Sequence, residues 1–309
     1  MFWALLCGCT EFGIDPVDPA LPPQMVAIEE EFVQQPLPAV DLLFVIDDTA
    51  SMAQEQVALA EGLSALVTSL NAQELSWQAG VVTMDHSGED AGWLLGSPYV
   101  LSSSLSDAEA LFALAVQVGT DGQAVEAGLA AATTALELAA PGGPNAGFRR
   151  DEASLHVVFL SDSDDGSQDW LGDDPVGAFI GTLEDQAVAG ESMARASAIV
   201  GDVPGGCLTK DGSAQAGFAY ASVVEASGGV LASICQADFG ELLDAVGAAS
   251  LSWTTEFTLR EVPIADSVRV SVDGERLDTG WAVQGATVLF DAPPAPAARV
   301  VISYLVEGP

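Results

Sequence analysis

Positive charge is what this chain of 309 residues lacks. It carries 8 Lys and Arg against 45 Asp and Glu, a formal net charge of −37 at pH 7. Phosphate backbones and anionic lipid head groups repel such a surface, which argues against nucleic acid as a partner and against an electrostatic hold on membranes. The lack is sharpest in the first half, where residues 1–148 contain 20 acidic side chains and no Lys or Arg before Arg149. Few surface ion pairs can form there. A surface of this kind attracts cations, whether from a saline medium or as bound divalent ions.

Long apolar runs and catalytic signatures are missing as well. No segment reaches the ~18 uninterrupted apolar residues of a membrane span. There is no Gly-x-Ser-x-Gly elbow and no P-loop, and the four cysteines lack zinc spacing. Of the two histidines, His86 follows Met84-Asp85 in a loop, and His156 sits inside an apolar run as a core residue rather than a base. The chain therefore reads as non-enzymatic. What it does have is 49% apolar residues, enough to bury a core.

Periodicity divides the chain. Residues 10–38 mix prolines with acidic residues and show no sustained period, which reads as an extended tether with room for a short strand. Asp41-Leu42-Leu43-Phe44-Val45-Ile46 is a continuous apolar run ending at Asp47-Asp48, the pattern of a strand buried on both faces of a parallel sheet. Behind it, Leu59, Leu63, Leu66, Val67 and Leu70 share a helical face. Trp77–Thr83, Leu155–Leu160, Ala196–Val200 and Val230–Ile234 read as further strands. Helices are expected over Tyr220–Ser227 and Phe239–Ala248, and along Val125, Leu129, Ala132 and Leu136 from a start near Asp121-Gly122. Strands alternating with helices over 39–249 predict an α/β domain with a doubly wound, mostly parallel sheet. From 250 to 309 the period changes to two, with Asp273-Gly274 as a hairpin turn, which predicts a small C-terminal all-β module.

In an open parallel sheet, ligands sit beyond the carboxyl ends of the strands. The loops expected there are Asp47-Asp48-Thr49-Ala50-Ser51-Met52, then Val118-Gly119-Thr120-Asp121-Gly122, then Ser161-Asp162-Ser163-Asp164-Asp165-Gly166-Ser167. They offer carboxylates and hydroxyls only, the donor set of a hard divalent cation. With these residues the chain resembles the von Willebrand factor type A domain, whose metal-ion-dependent adhesion site uses Asp-x-Ser-x-Ser, a distant Thr and a distant Asp. Asp47, Thr49 and Ser51 match the first motif, Thr120 the threonine and Asp162 the last aspartate. Thr49 keeps the hydroxyl of the usual serine, while Asp48 and Ala50 stand where Asn and Gly are commoner.

The resemblance implies Mg²⁺ or Ca²⁺, with Mn²⁺ also admissible, and a protein or surface partner that presents a carboxylate to the ion. It implies a binding or adhesion module. An assembly role in which the cation only staples three loops, or a secreted hydrolase with its catalytic residues elsewhere, stays open at this point. Asp and Thr after strands also serve as ordinary helix caps. A phospho-receiver domain shares the strand ending in Asp47-Asp48 but needs a lysine on a later strand, and the only lysine is Lys210. An EF-hand at Asp162 fails on register, with Ser167 and Asp173 where Gly and Glu are required. A second calcium site from Asp164, Asp165, Asp169, Asp173 and Asp174 is conceivable. Trp93, Tyr99 and Trp170 are candidate contact aromatics near the ligand face.

The opening MFWALLCGCTEFG runs into Leu6-Cys7-Gly8-Cys9 and resembles the end of a bacterial lipoprotein signal peptide, whose Leu-x-Gly-Cys box precedes the lipidated cysteine. The resemblance implies residues 1–9 as a signal remnant, Cys9 as the lipid-bearing mature N-terminus, export to the cell envelope, and membrane association only through that anchor. A leader of this type has a basic n-region, so an in-frame extension upstream of Met1 is expected. Export would place Cys207 and Cys235, the only downstream pair, in an oxidising compartment. A disulfide between them would close a loop of about 28 residues, worth about 3–4 kcal/mol in the chain-entropy model.

Overall fold

The computed structural model describes residues 24–308 apart from 36, 123–124, 189–193, 210–211, 237 and 296. Residues 1–9, with Cys9, and Lys210 lie outside the described residues. The first strand, β1 (Met25–Val33), belongs to a β module taken up below; β2 (Ala39–Ile46) opens the α/β domain and is buried along its whole length. Val40, Leu42, Phe44 and Ile46 enter the core under one face of the sheet, and Leu43 and Val45 the core under the other. That period of two makes an unbroken apolar run a strand with two buried sides. A 3-10 turn (Ala50–Met52) leads into α1 (Ala53–Ala72), which buries Leu59, Leu63, Leu66, Val67 and Leu70.

The domain continues with β3 (Ser76–Thr83), β4 (Leu101–Ser102), α2 (Ala108–Ala115), α3 (Gly128–Glu137) and β5 (Ser154–Leu160). Next come α4 (Gln168–Leu171), α5 (Pro175–Asp185), β6 (Arg195–Val200), and a short pair, β7 (Cys207–Leu208) with β8 (Ser213–Ala214). Last are α6 (Phe218–Ser227), β9 (Leu231–Ser233) and α7 (Phe239–Ala249). The six-stranded sheet has the order β4-β3-β2-β5-β6-β9, parallel except for the edge strand β4. Apolar residues of α1, α2 and α7 pack on one face; those of α3, α5 and α6 pack on the other. This is a doubly wound α/β domain. Among the described residues, no helix is long and apolar enough to cross a membrane.

One helix start differs from expectation. Val125 is 50% exposed and precedes α3, which begins at Gly128. The reason lies in a distant loop: Leu129 N donates to Asp165 Oδ1 at 3.0 Å and Ala130 N to Ser167 Oγ at 3.0 Å. These side chains satisfy the first free N–H groups of the helix and so fix where it begins.

The β module contains β10 (Glu256–Thr258), β11 (Arg269–Val272), β12 (Glu275–Leu277), β13 (Trp281–Gln284), β14 (Thr287–Phe290) and β15 (Arg299–Glu307). Two antiparallel sheets, β1-β15-β11-β12 and β10-β14-β13, enclose a third core around Phe257, Val270, Val288, Val300, Ile302 and Tyr304. Asp273 and Gly274, at φ +51° and +84°, make the two-residue turn between β11 and β12.

The module is not C-terminal alone. Residues 25–33, read from sequence as part of the 10–38 tether, pair along their whole length with 299–307. The α/β domain is therefore inserted between the first strand of the module and the rest. The acidic run Glu29-Glu30-Glu31 hides the strand because it places a carboxylate between Ile28 and Phe32 on the inward face. Glu30 is buried there and accepts from Tyr304 Oη at 2.6 Å and from Arg260 N at 2.9 Å.

Candidate functional site

Asp47 is the first residue beyond β2, fully buried, and its N–H still donates to Leu160 O of β5 at 3.0 Å. The strand thus delivers its carboxylate to the carboxyl edge between the two central strands. Oδ1 accepts from Thr49 N at 2.9 Å and from Thr49 Oγ1 at 2.6 Å; Oδ2 accepts from Ser161 Oγ at 2.7 Å. Ser51 Oγ lies 3.3 Å from Thr49 Oγ1, and the Ser51 hydroxyl is near enough to the Asp162 carboxyl to pull its pKa down. A relay of hydrogen bonds therefore links Asp47, Thr49 and Ser51, with the Asp162 carboxyl beside it.

The Thr49 hydroxyl gives its one hydrogen to Asp47, so in its contact with Ser51 it is the acceptor and the Ser51 hydroxyl the donor.

Thr120 reaches this edge by another route. Gln56, buried on α1, donates from Nε2 to Asp47 O at 3.0 Å and to Gly119 O at 2.7 Å, and its Oε1 accepts from Gly119 N at 3.2 Å. Gly119 has φ +100°, a conformation that side-chain-bearing residues rarely adopt. Gly122 N also donates to Asp48 O at 2.9 Å. The hydroxyl of Thr120 makes no hydrogen bond to the other four side chains among the described residues.

Carboxylates crowd this edge. Burial, with Asp85 and Asp47 nearby, pushes the Asp48 carboxyl up to about 6. Burial also pushes Glu126 up to about 7, helped by Asp47, Asp162 and Asp48. Asp162 is likewise raised by burial and by Asp47, against the lowering effect of the Ser51 and Ser163 hydroxyls. No arginine answers them. Arg149 and Arg150 bind Asp41 near the amino end of β2, Arg195 bonds Ala249 O and Leu251 O at the start of β6, and the remaining four lie in the β module.

Much of the acidic loop after Asp162 serves as helix caps. Asp164 Oδ1 accepts from Ala219 N at 2.9 Å, at the start of α6, and Asp165 with Ser167 caps α3. Asp174 accepts from Gly177 N at 2.9 Å and caps α5. Three of the five carboxylates are thus helix caps. No group of three or more His, Cys, Asp or Glu side chains is placed to hold a metal among the described residues.

His156 is a satisfied core residue. Ser250 gives its hydrogen to Val246 O, so it accepts from His156 Nδ1 at 2.8 Å; Ser197 accepts from Val230 N and donates to His156 Nε2 at 2.7 Å. This network assigns the neutral Nδ1-protonated tautomer, and burial lowers the imidazole to about 3. His86 bonds Thr134 Oγ1 and meets the Trp170 ring edge-on at 5.1 Å. Trp93, Tyr99 and Trp170 are all substantially exposed, while Tyr99 Oη also donates to Ala146 O. Cys207 and Cys235 form a disulfide, their Cα atoms 6.1 Å apart.

Three side chains that sequence reading passed over shape the site: Ser161, Gln56 and Glu126. Gln56 had a legible signal, since it is the polar member of the stripe continued by Leu59, Leu63 and Leu66. Ser161 is unremarked in the run before Asp162, and Glu126 has no local pattern at all.

No family model matches the chain, and no curated protein matches its sequence. Among solved structures it is similar to the pilus adhesin SpaC from Lactobacillus rhamnosus GG in its open conformation. The identity is 12% and the TM-score 0.39, over 92% of this chain and 41% of that one. It is also similar to proximal thread matrix protein 1 from the mussel byssus, at 15% identity and a TM-score of 0.39, over 73% of this chain and 49% of that one. The chain spans less than half the length of either protein. At these TM-scores neither likeness carries an argument about function.

Proposed function

We propose that the chain is a divalent-cation-dependent binding protein of the cell envelope, without turnover of its own, whose von Willebrand A-like domain holds Mg²⁺ or Ca²⁺. Mn²⁺ would suit the same donors. The ligands are Asp47, Thr49, Ser51, Thr120 and Asp162, two carboxylates and three hydroxyls, an all-oxygen set of the kind hard divalent ions take. One observation carries the reading: the fully buried Asp47 carboxylate, the Thr49 hydroxyl 2.6 Å from it and the Ser51 hydroxyl 3.3 Å from that lie together at the carboxyl edge of the sheet, with the Asp162 carboxyl close enough to feel both Asp47 and Ser51. A bound cation supplies the positive charge that no arginine among the described residues brings to this edge. A carboxylate on a partner protein or surface would meet that charge there. The lipoprotein-like leader adds the location, with export and a lipid on Cys9.

The test is thermal melting in chelator and in millimolar Mg²⁺ or Ca²⁺. Wild type should melt higher with the ion, because binding to the native state alone raises its stability. Asp47→Ala should lose that shift and Thr49→Ser keep most of it. A wild type indifferent to divalent ions ends the proposal.

A second reading, in which the ion staples loops and meets no partner, is favoured by Glu126. Its carboxyl is partly buried and feels Asp47 and Asp162, so it is the group in this chain suited to close the ion's outward side. Under that reading Glu126→Ala weakens divalent-ion affinity by more than about tenfold, as removal of a ligand-shell group does. Affinity within a few-fold of wild type sinks it.

A further inference from the structure

Three hydrogen bonds of one buried amide join two of the three loops of the site. Gln56 uses both Nε2 hydrogens, on Asp47 O and Gly119 O, and its Oε1 takes the Gly119 N–H. Every strong hydrogen-bonding position it has a partner for lies on the backbone of a loop that carries a proposed ligand. Asp47 is itself a ligand, and Gly119 is followed directly by Thr120. Gly119 accommodates the arrangement through its φ of +100°, which lets one amide grip both of its peptide groups. The Thr120 hydroxyl, by contrast, has no hydrogen bond to the relay among the described residues, so its position depends on how its backbone is held.

We propose that Gln56 is the positioning residue of the cation site, fixing the Gly119–Thr120 backbone against the Asp47 carbonyl and so setting where the Thr120 hydroxyl stands. This rests on the reading of Asp47, Thr49, Ser51, Thr120 and Asp162 as cation ligands. Gln56 does not touch the ion. It acts through Thr120, and that dependence separates a positioning role from a contribution to fold stability alone. A group that orients a ligand matters to affinity only while the ligand is present.

The experiment is a double-mutant cycle read as Mg²⁺ affinity by calorimetry on the full chain, with wild type, Gln56→Met, Thr120→Ala and the double variant. Met keeps the length and burial of Gln and removes the amide. Gln56→Met should weaken Mg²⁺ binding about tenfold, within the range of supporting-shell substitutions. The double variant should bind no more weakly than Thr120→Ala. Gln56→Glu, which keeps one acceptor and loses both donors, gives a second measurement should Gln56→Met not fold, and it too should weaken binding only when Thr120 is present. Multiplicative losses in the double variant, or unchanged affinity in Gln56→Met, overturn the positioning role and leave the cation site standing. A wild type that takes up no Mg²⁺ overturns the cation reading and this inference with it.

Discussion

Two aspartates on the same stretch of chain, Asp41 within β2 and Asp47 just beyond it, are both fully buried and are treated in opposite ways. Asp41, toward the amino edge of the sheet, is gripped by Arg149 Nη1 at 2.6 Å, Arg150 Nε at 2.7 Å and Arg150 N at 2.9 Å. Its charge is neutralised on the spot. Asp47, at the carboxyl edge, has only the hydroxyls of Thr49 and Ser161 and one backbone N–H, and its charged-group neighbours are the carboxyls of Asp162 and Asp48. A buried carboxylate is tolerated where its charge is compensated, and one among acidic neighbours calls for a cation or a proton. The amino edge is finished by the chain's own arginines. Under the proposed reading, the carboxyl edge is finished by a bound cation.

The largest expected effect breaks the first half of that contrast. Asp41→Ala leaves two partly buried guanidinium groups without their carboxylate and should destabilise the domain by about 3–5 kcal/mol, equally in chelator and in Mg²⁺. Chemical denaturation in both buffers checks it. The second half is broken by Asp47→Ala, whose effect should be confined to the divalent-ion response. At an ion concentration about 100 times the dissociation constant, wild type gains about 2.7 kcal/mol and the variant nothing. If both variants lose the same stability under both conditions, the two edges do not differ as described.

A smaller effect comes from the core between the edges. His156 is neutral and titrates at about 3 in the fold, against 6.5 when unfolded. Below pH 6.5 the unfolded chain takes up a proton that the folded chain refuses until about pH 3. The stabilising contribution is therefore whole above 6.5 and lost as pH falls through that window, at up to about 1.4 kcal/mol per pH unit. His156→Gln should flatten this slope in urea titrations between pH 6.5 and 4. The smallest expected effect is at Glu126, raised to about 7. A carboxyl with a raised folded value stabilises at low pH and loses that contribution as pH rises through about 7. In chelator, wild type should melt lower at pH 8 than at pH 6.5 by more than Glu126→Gln does. A slope unchanged by the substitution removes Glu126 from the electrostatics of this edge.

Much of the α/β domain was legible because its signals are local. Leu42 to Ile46 had to be a strand with two buried faces, and Leu59, Leu63, Leu66 and Leu70 had to line a helix, whatever surrounded them. The hairpin at Asp273-Gly274 was legible for the same reason. The sequence failed where distant residues intervene. The start of α3 is set by Asp165 and Ser167, 36 and 37 residues further on. The strand character of β1 was masked by Glu30, whose burial depends on Tyr304 and Arg260 from the far end of the chain.

At the candidate site the division is the same. The residue types and their order, Asp47, Thr49 and Ser51, then Thr120, then Asp162, are properties of the sequence, as are the shortage of cations and the oxygen-only chemistry. Only the tertiary structure decided that Asp162 comes to the side of Asp47, that Ser161 closes on the other oxygen of Asp47, and that Gln56 joins the Asp47 and Gly119 backbones across 63 residues. Only it decided which acidic residues became helix caps and that the arginines gather away from the carboxyl edge. The physical reason is range: periodicity and turn chemistry act over a few residues, whereas hydrogen-bond partners and the compensation of a buried charge depend on which strands lie side by side.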